Sequence, residues 1–376
     1  MLKRIAVLLA LIGCFACAQP NQVIVSSLSV APEQVVAKNI ILMIGDGMGL
    51  GQITAGMYAN GNRLNLEGFP VVGLQKTYAY DNLVTDSAAS ATAIACGVKT
   101  YNAAIGVNKD TLPVKSILEE AEEKGLRTGL IATSTIVHAT PAAFIAHRPL
   151  RSMYDLIAED FLKTDIDLFI GGGFKYFNVQ RTDERSLIPK LKQRGFTVSG
   201  MFDMELEDIN LSSVKKLAYF TANDAPIPES TGRDYLPKAS LIGAKFLNKY
   251  KKDGFFLMIE GSQIDWGGHA NDTKYITTEV KDFDRAIGEI LAFAKNDGET
   301  LVIVTADHET GGFAINPKSR MDSLVGAFTN SYHTGTMVPV FAYGPGAELF
   351  SGIYENTAIH HKMRKALGFD RGVENK

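Results

Sequence analysis

Short apolar runs rich in Ile, Val, Leu and Phe alternate along the chain with stretches of helical periodicity. That alternation predicts an α/β fold, a three-layer sandwich in which a central, mostly parallel β-sheet is flanked by helices on both faces. Strands are expected at residues 39–44, 127–132, 167–170, 255–259, 301–305 and 338–343, each bounded by Gly, Asp or polar turns and each reading as a central strand. Residues 278–295 bring Val280, Phe283, Ile287, Ile290, Leu291 and Ala294 onto one helical face, with Gly298 just beyond as a stop. A second helix is expected over 116–124, ended by Gly125, and its run of Glu119, Glu120, Glu122 and Glu123 reads as a solvated face without function. The stretch from 174 to 250 has the least readable pattern, and no internal repeat or low-complexity tract stands out.

The first twenty residues fall outside this alternation. Lys3 and Arg4 make a basic start, residues 5–13 form an apolar run too short to span a bilayer, and small residues and cysteines follow. Residues 1–20 are therefore expected to be an export signal. Leu11-Ile12-Gly13-Cys14 reads like a lipoprotein cleavage site that would leave Cys14 lipid-bearing, with Cys17 as the alternative. Ala16-Cys17-Ala18 also fits ordinary signal peptidase cleavage and release of a soluble protein. Residues 21–37, with Ser and Pro and no periodicity, suit a tether, and 38–376 read as a single domain. The expected location is exported, periplasmic or held at the membrane by an N-terminal lipid. Cys96 alone then remains, so the core has no internal disulfide, and this thiol is expected to pack rather than react.

Composition narrows the function classes. With 46% hydrophobic and 21% charged residues over 376 positions, disorder and collagen-like structure are excluded. A net charge of −3 gives no bulk attraction for a polyanion, so a nucleic-acid-binding role is not expected.

In an open α/β sheet the binding crevice lies beyond the carboxyl ends of the strands, and the residues found there are metal-ligand types. Asp46, inside Gly45-Asp46-Gly47-Met48-Gly49, follows the first strand; Glu260 ends the 255–259 strand; Asp307 and His308 follow the 301–305 strand. Asp46 alone reads as a turn residue bonding its own backbone, and only the set points to metal. Asp265 and His269 are four apart, so on a helix both project from one face toward the same ion. His333 carries weight only as a sixth ligand. Ser87 begins the small-residue run Ser87-Ala88-Ala89-Ser90, and a helix N-terminus there favours both a phosphate group and an alkoxide. The ordinary alternative is an N-cap supplied by Asp86 or Ser87.

Taken in order, Gly45 to Gly49, TDSAASATA at 85–93, GVKTYNAAIGV at 97–107, HATPAAFIAH at 138–147, EGSQIDWGGHA at 260–270, TADHETGG at 305–312 and HTG at 333–335 resemble the motifs of the alkaline phosphatase family, from about residue 39 to 354. The resemblance implies two Zn2+ and one Mg2+ per subunit. One zinc would take Asp265, His269 and His333, and the other Asp46, Asp307 and His308, with Ser87 approaching as nucleophile. Magnesium would take the other side of Asp46 with Thr140 and Glu260, all hard oxygen donors. Arg151 would grip two phosphate oxygens, with Arg148 as second choice. His138 stands where some members have Asp, and Trp266 where some have Lys or His; both are expected beside the ligands rather than among them. The implied activity is hydrolysis of a broad range of small phosphate monoesters through a phosphoserine, with an alkaline optimum, in a homodimer.

Phosphodiesterases, sulfatases and phosphomutases share the two-metal fold. Glu260, Thr140 and Arg151 favour monoesters, and a sulfatase needs a modified Cys or Ser in a Pro- and Arg-containing motif that the Ser87 context lacks. An idle, exported metal- or phosphate-binding lipoprotein would gain nothing from a positioned Ser87. No large insertion separates His308 from His333, so reduced accessory lobes and an open active site are expected.

Overall fold

The computed structural model describes residues 36–249 and 254–370. The export signal, Cys14, Cys17 and all but the end of the tether lie outside the described residues. The apolar runs become the middle of one ten-stranded sheet. In chain order the strands are β1 (Asn39–Gly45), β2 (Val71–Lys76), β3 (Arg127–Thr135), β4 (Leu168–Gly172), β5 (Phe196–Gly200), β6 (Lys216–Phe220), β7 (Phe255–Gly261) and β8 (Thr300–Thr305). The two-residue β9 (Glu309–Thr310), β10 (Ala314–Ile315), β11 (Gly326–Ala327) and β12 (His333–Thr334) follow, then β13 (Val338–Tyr343) and β14 (Gly352–Glu355). The sheet order is β14-β2-β13-β8-β1-β7-β3-β4-β6-β5, and only β13 runs against its neighbours, β2 and β8.

The helices are α1 (Leu50–Ala59), α2 (Ser87–Cys96), α3 (Ile117–Glu123), α4 (Ala139–Ala142), α5 (Tyr154–Asp160), α6 (Ile188–Gln193), α7 (Tyr235–Leu247), α8 (Gln263–His269), α9 (Thr273–Asp297) and α10 (Thr357–Ala366). They divide between the faces as the alternation of strand side chains requires. Ile40, Leu42 and Ile44 of β1 point into a core shared with α2, α3, α4 and α10, whereas Ile41 and Met43 point into one shared with α1, α7 and α9. Each strand residue is therefore buried whichever way it faces, which is why β1 reads as a continuous apolar run. Each such Ile or Leu contributes about 1.5–3 kcal/mol through burial.

Local signals set the ends. The Asp272 carboxylate accepts from the Lys274 and Tyr275 amides to start α9, and Gly298, at φ +74°, ends it. Ser116 and Glu119 form a reciprocal capping box on α3. The glutamates of α3 correct the expectation of a solvated face: Glu119 holds His147, Glu120 pairs with Arg364, and Glu122 accepts from Thr128 and from the Asp165 amide. Only Glu123 of the four is exposed. The poorly patterned 174–250 stretch supplies β5, β6, α6 and α7, which extend the sheet to its far edge; β5, at that edge, is only partly buried along its length.

Candidate active site

The sheet register carries the candidate residues to one place. Ile44 of β1 pairs with Glu260 of β7 and with Thr305 of β8, so the carboxyl ends of three adjacent strands finish level. Asp46, Glu260, Asp307 and His308 sit on that rim. Gly47, at φ +71°, lets the chain turn there; a Cβ at this position would come within 2.7 Å of the Asp265 backbone, so only glycine fits. Its amide donates to Asp307 Oδ1 at 3.1 Å. Asp265 and His269 project from α8 as their spacing requires. His333 arrives from a distant segment because β12 pairs antiparallel with β9. The Glu309 carboxylate fastens that ladder, accepting from the Gln52 amide at 2.7 Å, from the Phe313 backbone at 2.9 Å and from the Thr334 hydroxyl.

Three groups of side chains result: Asp265, His269 and His333; Asp46, Asp307 and His308; and Asp46, His138 and Glu260. Within each, the ligand atoms lie within 4.8 Å of one another. Thr140 is fully buried next to Glu260. His138, expected beside the ligands, thus lies at ligand distance in the third group, and Trp266 meets its ring edge-on at 6.3 Å.

The electrostatics of the cluster call for cations. Both Asp46 oxygens, Asp307 Oδ2 and Glu260 Oε1 are buried without a hydrogen-bond partner. Burial, then repulsion from Asp307, Asp265 and Glu260, pushes the Asp46 carboxyl well above its usual range. The same causes raise Asp307 to about 6 and Glu260 to about 7. Burial also pushes Asp265 upward, but hydrogen bonds to His269 and His333 outweigh it and hold Asp265 well below the ordinary value. Burial, then the Arg151 charge, lowers His138 to about 3, and burial with His333 lowers His308, leaving both rings neutral.

The ring nitrogens are oriented as ligands. His333 Nδ1 lies 2.8 Å from the Thr85 carbonyl and His269 Nδ1 2.8 Å from the Ser331 carbonyl. A carbonyl can only accept, so each Nδ1 donates, and each Nε2 is the nitrogen turned toward Asp265. Those two Nε2 atoms face each other at 3.2 Å beside Asp265. Two ring nitrogens and a carboxylate that converge in this way form a donor set for one cation. The first two donor sets, nitrogen mixed with carboxylate, suit zinc; the third is carboxylate-rich with one imidazole.

Ser87 is the first residue of α2, and Asp86 is its cap, accepting from the Ala89 amide at 2.9 Å. The Ser87 hydroxyl is thereby left free of capping and lies 3.3 Å from His308 Nε2. Arg151 donates to Asp86 at 3.0 Å, beside His138. Arg148 is bound twice to Asp160 at 2.7 Å and once to the Leu156 carbonyl, so the second-choice arginine is committed elsewhere. Cys96 is buried, and burial pushes its thiol upward. Sequence reasoning missed Glu309, Thr310, which donates to Asp265 at 2.5 Å, and the anchoring of Arg151 by Asp86. Thr310 and Glu309 lie inside TADHETGG, yet nothing in their type marks them as supports.

Comparison with known proteins agrees with this geometry. A family model described as alkaline phosphatase matches residues 37–331 and 318–369. The chain is similar to alkaline phosphatase 4 of Bacillus subtilis (strain 168), 36% identical over 92% of this chain and 92% of the relative. Alkaline phosphatase 3 of the same strain is 34% identical, over 90% and 91%. Among solved structures, the alkaline phosphatase of the Antarctic bacterium TAB5 superposes with a TM-score of 0.85 at 45% identity, covering 89% of this chain and 99% of that one. Two variants of that enzyme, with a histidine replaced by Glu or by Asp, are described with Mg bound in the M3 site. With the family model spanning most of the sequence and relatives aligned along nearly their whole length, the chain belongs to the alkaline phosphatase family, enzymes that hydrolyse phosphate monoesters.

Proposed function

We propose that the chain hydrolyses a broad range of small phosphate monoesters through a phosphoserine on Ser87, at alkaline pH, using two zinc ions and a third divalent ion. One observation carries the reading: a serine hydroxyl left free of capping at a helix N-terminus adjoins a buried metal-ligand cluster in which both Asp46 oxygens, Asp307 Oδ2 and Glu260 Oε1 have no hydrogen-bond partner. Asp265, His269 and His333 would hold one zinc, and Asp46, Asp307 and His308 the other. Asp46, Glu260 and Thr140, with His138, would hold the third ion. Cations held there neutralise phosphoryl oxygens and ease loss of the Ser87 proton.

The chain's own groups do the rest. Ser87 Oγ attacks phosphorus, the P–O bond to the organic group breaks, and the departing alkoxide takes up a proton. Water then attacks phosphorus, the Ser87 Oγ–P bond breaks, and inorganic phosphate leaves. The free amides at the start of α2 favour the anionic group throughout. Arg151, steadied on one side by Asp86, keeps N–H groups for two phosphoryl oxygens, and its guanidinium edge matches their spacing. The nitrogen of His138 makes the third donor set less selective for magnesium than an all-oxygen set, so His138→Asp should raise the affinity of that position for Mg2+. The leader supports export, with a lipid on Cys14 or Cys17, and the family supports a homodimer.

The test is hydrolysis of a chromogenic phosphomonoester between pH 7 and 10, before and after chelation, with zinc and magnesium returned separately. Loss on chelation and recovery with zinc are expected, with a further gain from magnesium. Metal uptake without turnover would replace the enzyme with a binding lipoprotein, and preference for a diester or sulfate ester would replace the substrate class. Labelled phosphate should be trapped on Ser87 and be absent from Ser87→Ala; label on another serine would overturn the assignment.

A further inference from the structure

An exposed aromatic ring at the mouth of the site has no part in the chemistry above. Tyr332 immediately precedes His333 and is 49% exposed. Its ring lies nearly parallel to the His333 imidazole, with centroids 4.3 Å apart and 6° between planes. His308 stacks on His333 in turn, at 3.6 Å and 18°, so three rings form a column from the buried rim to solvent. His269 flanks the tyrosine at 6.0 Å. The backbone holds the ring in place from both sides: the Tyr332 amide donates to Asn330 Oδ1 at 2.6 Å, and its carbonyl accepts from the Gly311 amide at 2.7 Å. His333, on which the ring stacks, bonds the Thr85 carbonyl two residues before Ser87, which places the ring on the Ser87 side of the mouth.

One face of the ring is committed to His333, and the other side carries the exposure. A large flat surface fixed beside a nucleophile but outside the charged cluster lies where the organic part of an ester must sit once its phosphoryl group has entered. We propose that Tyr332 is a leaving-group subsite that favours aryl and other planar phosphate monoesters over flexible alkyl ones. The proposal rests on the reading of Ser87 and Arg151 as the phosphoryl site. An offset or edge-to-face aromatic pair adds about 1 kcal/mol beyond area burial, about 5-fold in affinity, whereas a polyol gains little from the same face.

A purely structural role, in which Tyr332 only props His333, predicts a different outcome. The zinc-loaded enzyme, Tyr332→Leu and Tyr332→Phe would be compared for bound zinc, for kcat/KM on phenyl phosphate and glycerol phosphate, and for inhibition by phenylphosphonate and methylphosphonate. The unaltered enzyme should bind phenylphosphonate more tightly than methylphosphonate. Tyr332→Leu should lose about 5-fold on phenyl phosphate and phenylphosphonate, change less than about 2-fold on the alkyl pair, and keep its zinc, and Tyr332→Phe should behave like the unaltered enzyme. Equal losses on both esters, loss of zinc in Tyr332→Leu, or equal affinity of the unaltered enzyme for the two phosphonates would overturn the subsite. Failure of the zinc-loaded unaltered enzyme to hydrolyse either ester would overturn the phosphatase reading and the subsite together.

Discussion

Two buried acidic clusters lie in this fold, and they are built in opposite ways. In the first, Arg233 bonds Glu279 at 2.6 Å and Asp282 at 2.7 Å, with the three side chains no more than 2% exposed. The Glu229 amide and Arg285 supply further donors, so this cluster is neutralised from within. In the second, Asp46, Asp265, Asp307 and Glu260 are also buried, but Arg151, whose charge reaches Asp46, pairs with Asp86 instead. A buried charge without a partner is costly, so a fold that saturates one cluster and leaves the other open has reserved the second for ligands from outside. The first cluster ties α9 to the segment before α7; the second adjoins Ser87.

The largest expected contrast comes from removing one charge on each side. Asp307→Asn should lower phosphomonoester turnover by on the order of 10³-fold or more, because an anionic ligand beside Ser87 is lost. The chelated Asp307→Asn protein should nevertheless melt no lower than the chelated parent, since one repelling carboxylate is gone; a much lower melting temperature would show that the carboxylate is structural. Arg233→Met should do the reverse. It should cost about 3–5 kcal/mol in denaturant melts by leaving buried Glu279 without a cation and Asp282 with Arg285 alone, with activity per folded molecule preserved.

A smaller effect separates the clusters by pH. Asp307 at about 6 and Glu260 at about 7 hold protons in the folded metal-free chain that the unfolded chain releases near pH 4. Their contribution therefore weakens the chelated protein as pH rises from about 4 to about 7. Zinc, which binds the ionised forms, should raise the melting temperature more at pH 8 than at pH 5; an equal gain at both would contradict the open-cluster reading. Smallest is the exchange of the two arginines. Arg151→Ala should raise KM about 10-fold and weaken phosphate inhibition. Arg148→Ala should leave KM unchanged and cost about 1 kcal/mol of stability through Asp160.

Much of this was legible in the sequence where burial on both faces makes a strand an unbroken apolar run, as in β1, β7 and β8. It was illegible where strands are short or partly exposed: β5 is partly exposed at the sheet edge, and β2 and β14 offer too little contrast to read. The glutamates of α3 misled because four adjacent acids look solvated until their distant partners His147, Arg364 and Thr128 are known. For the site, Asp46, Glu260, Asp307 and His308 could be picked out because each follows or ends a recognisable strand. Glu309 and Thr310 could not, since their work is to hold neighbours that the linear chain does not show.

The sequence by itself determined the strand and helix types, the residues that chemistry needs, and their grouping at strand ends, because periodicity and residue type act locally. Only the tertiary structure decided which carboxylates are neutralised and which remain open. It also decided that Arg151 rather than Arg148 lies beside Asp86 and His138, that His138 comes to ligand distance of Asp46 and Glu260, and that Tyr332 stacks on His333. Those outcomes depend on long-range pairing and on burial, which set the energy of a charge by what surrounds it rather than by what precedes it in the chain.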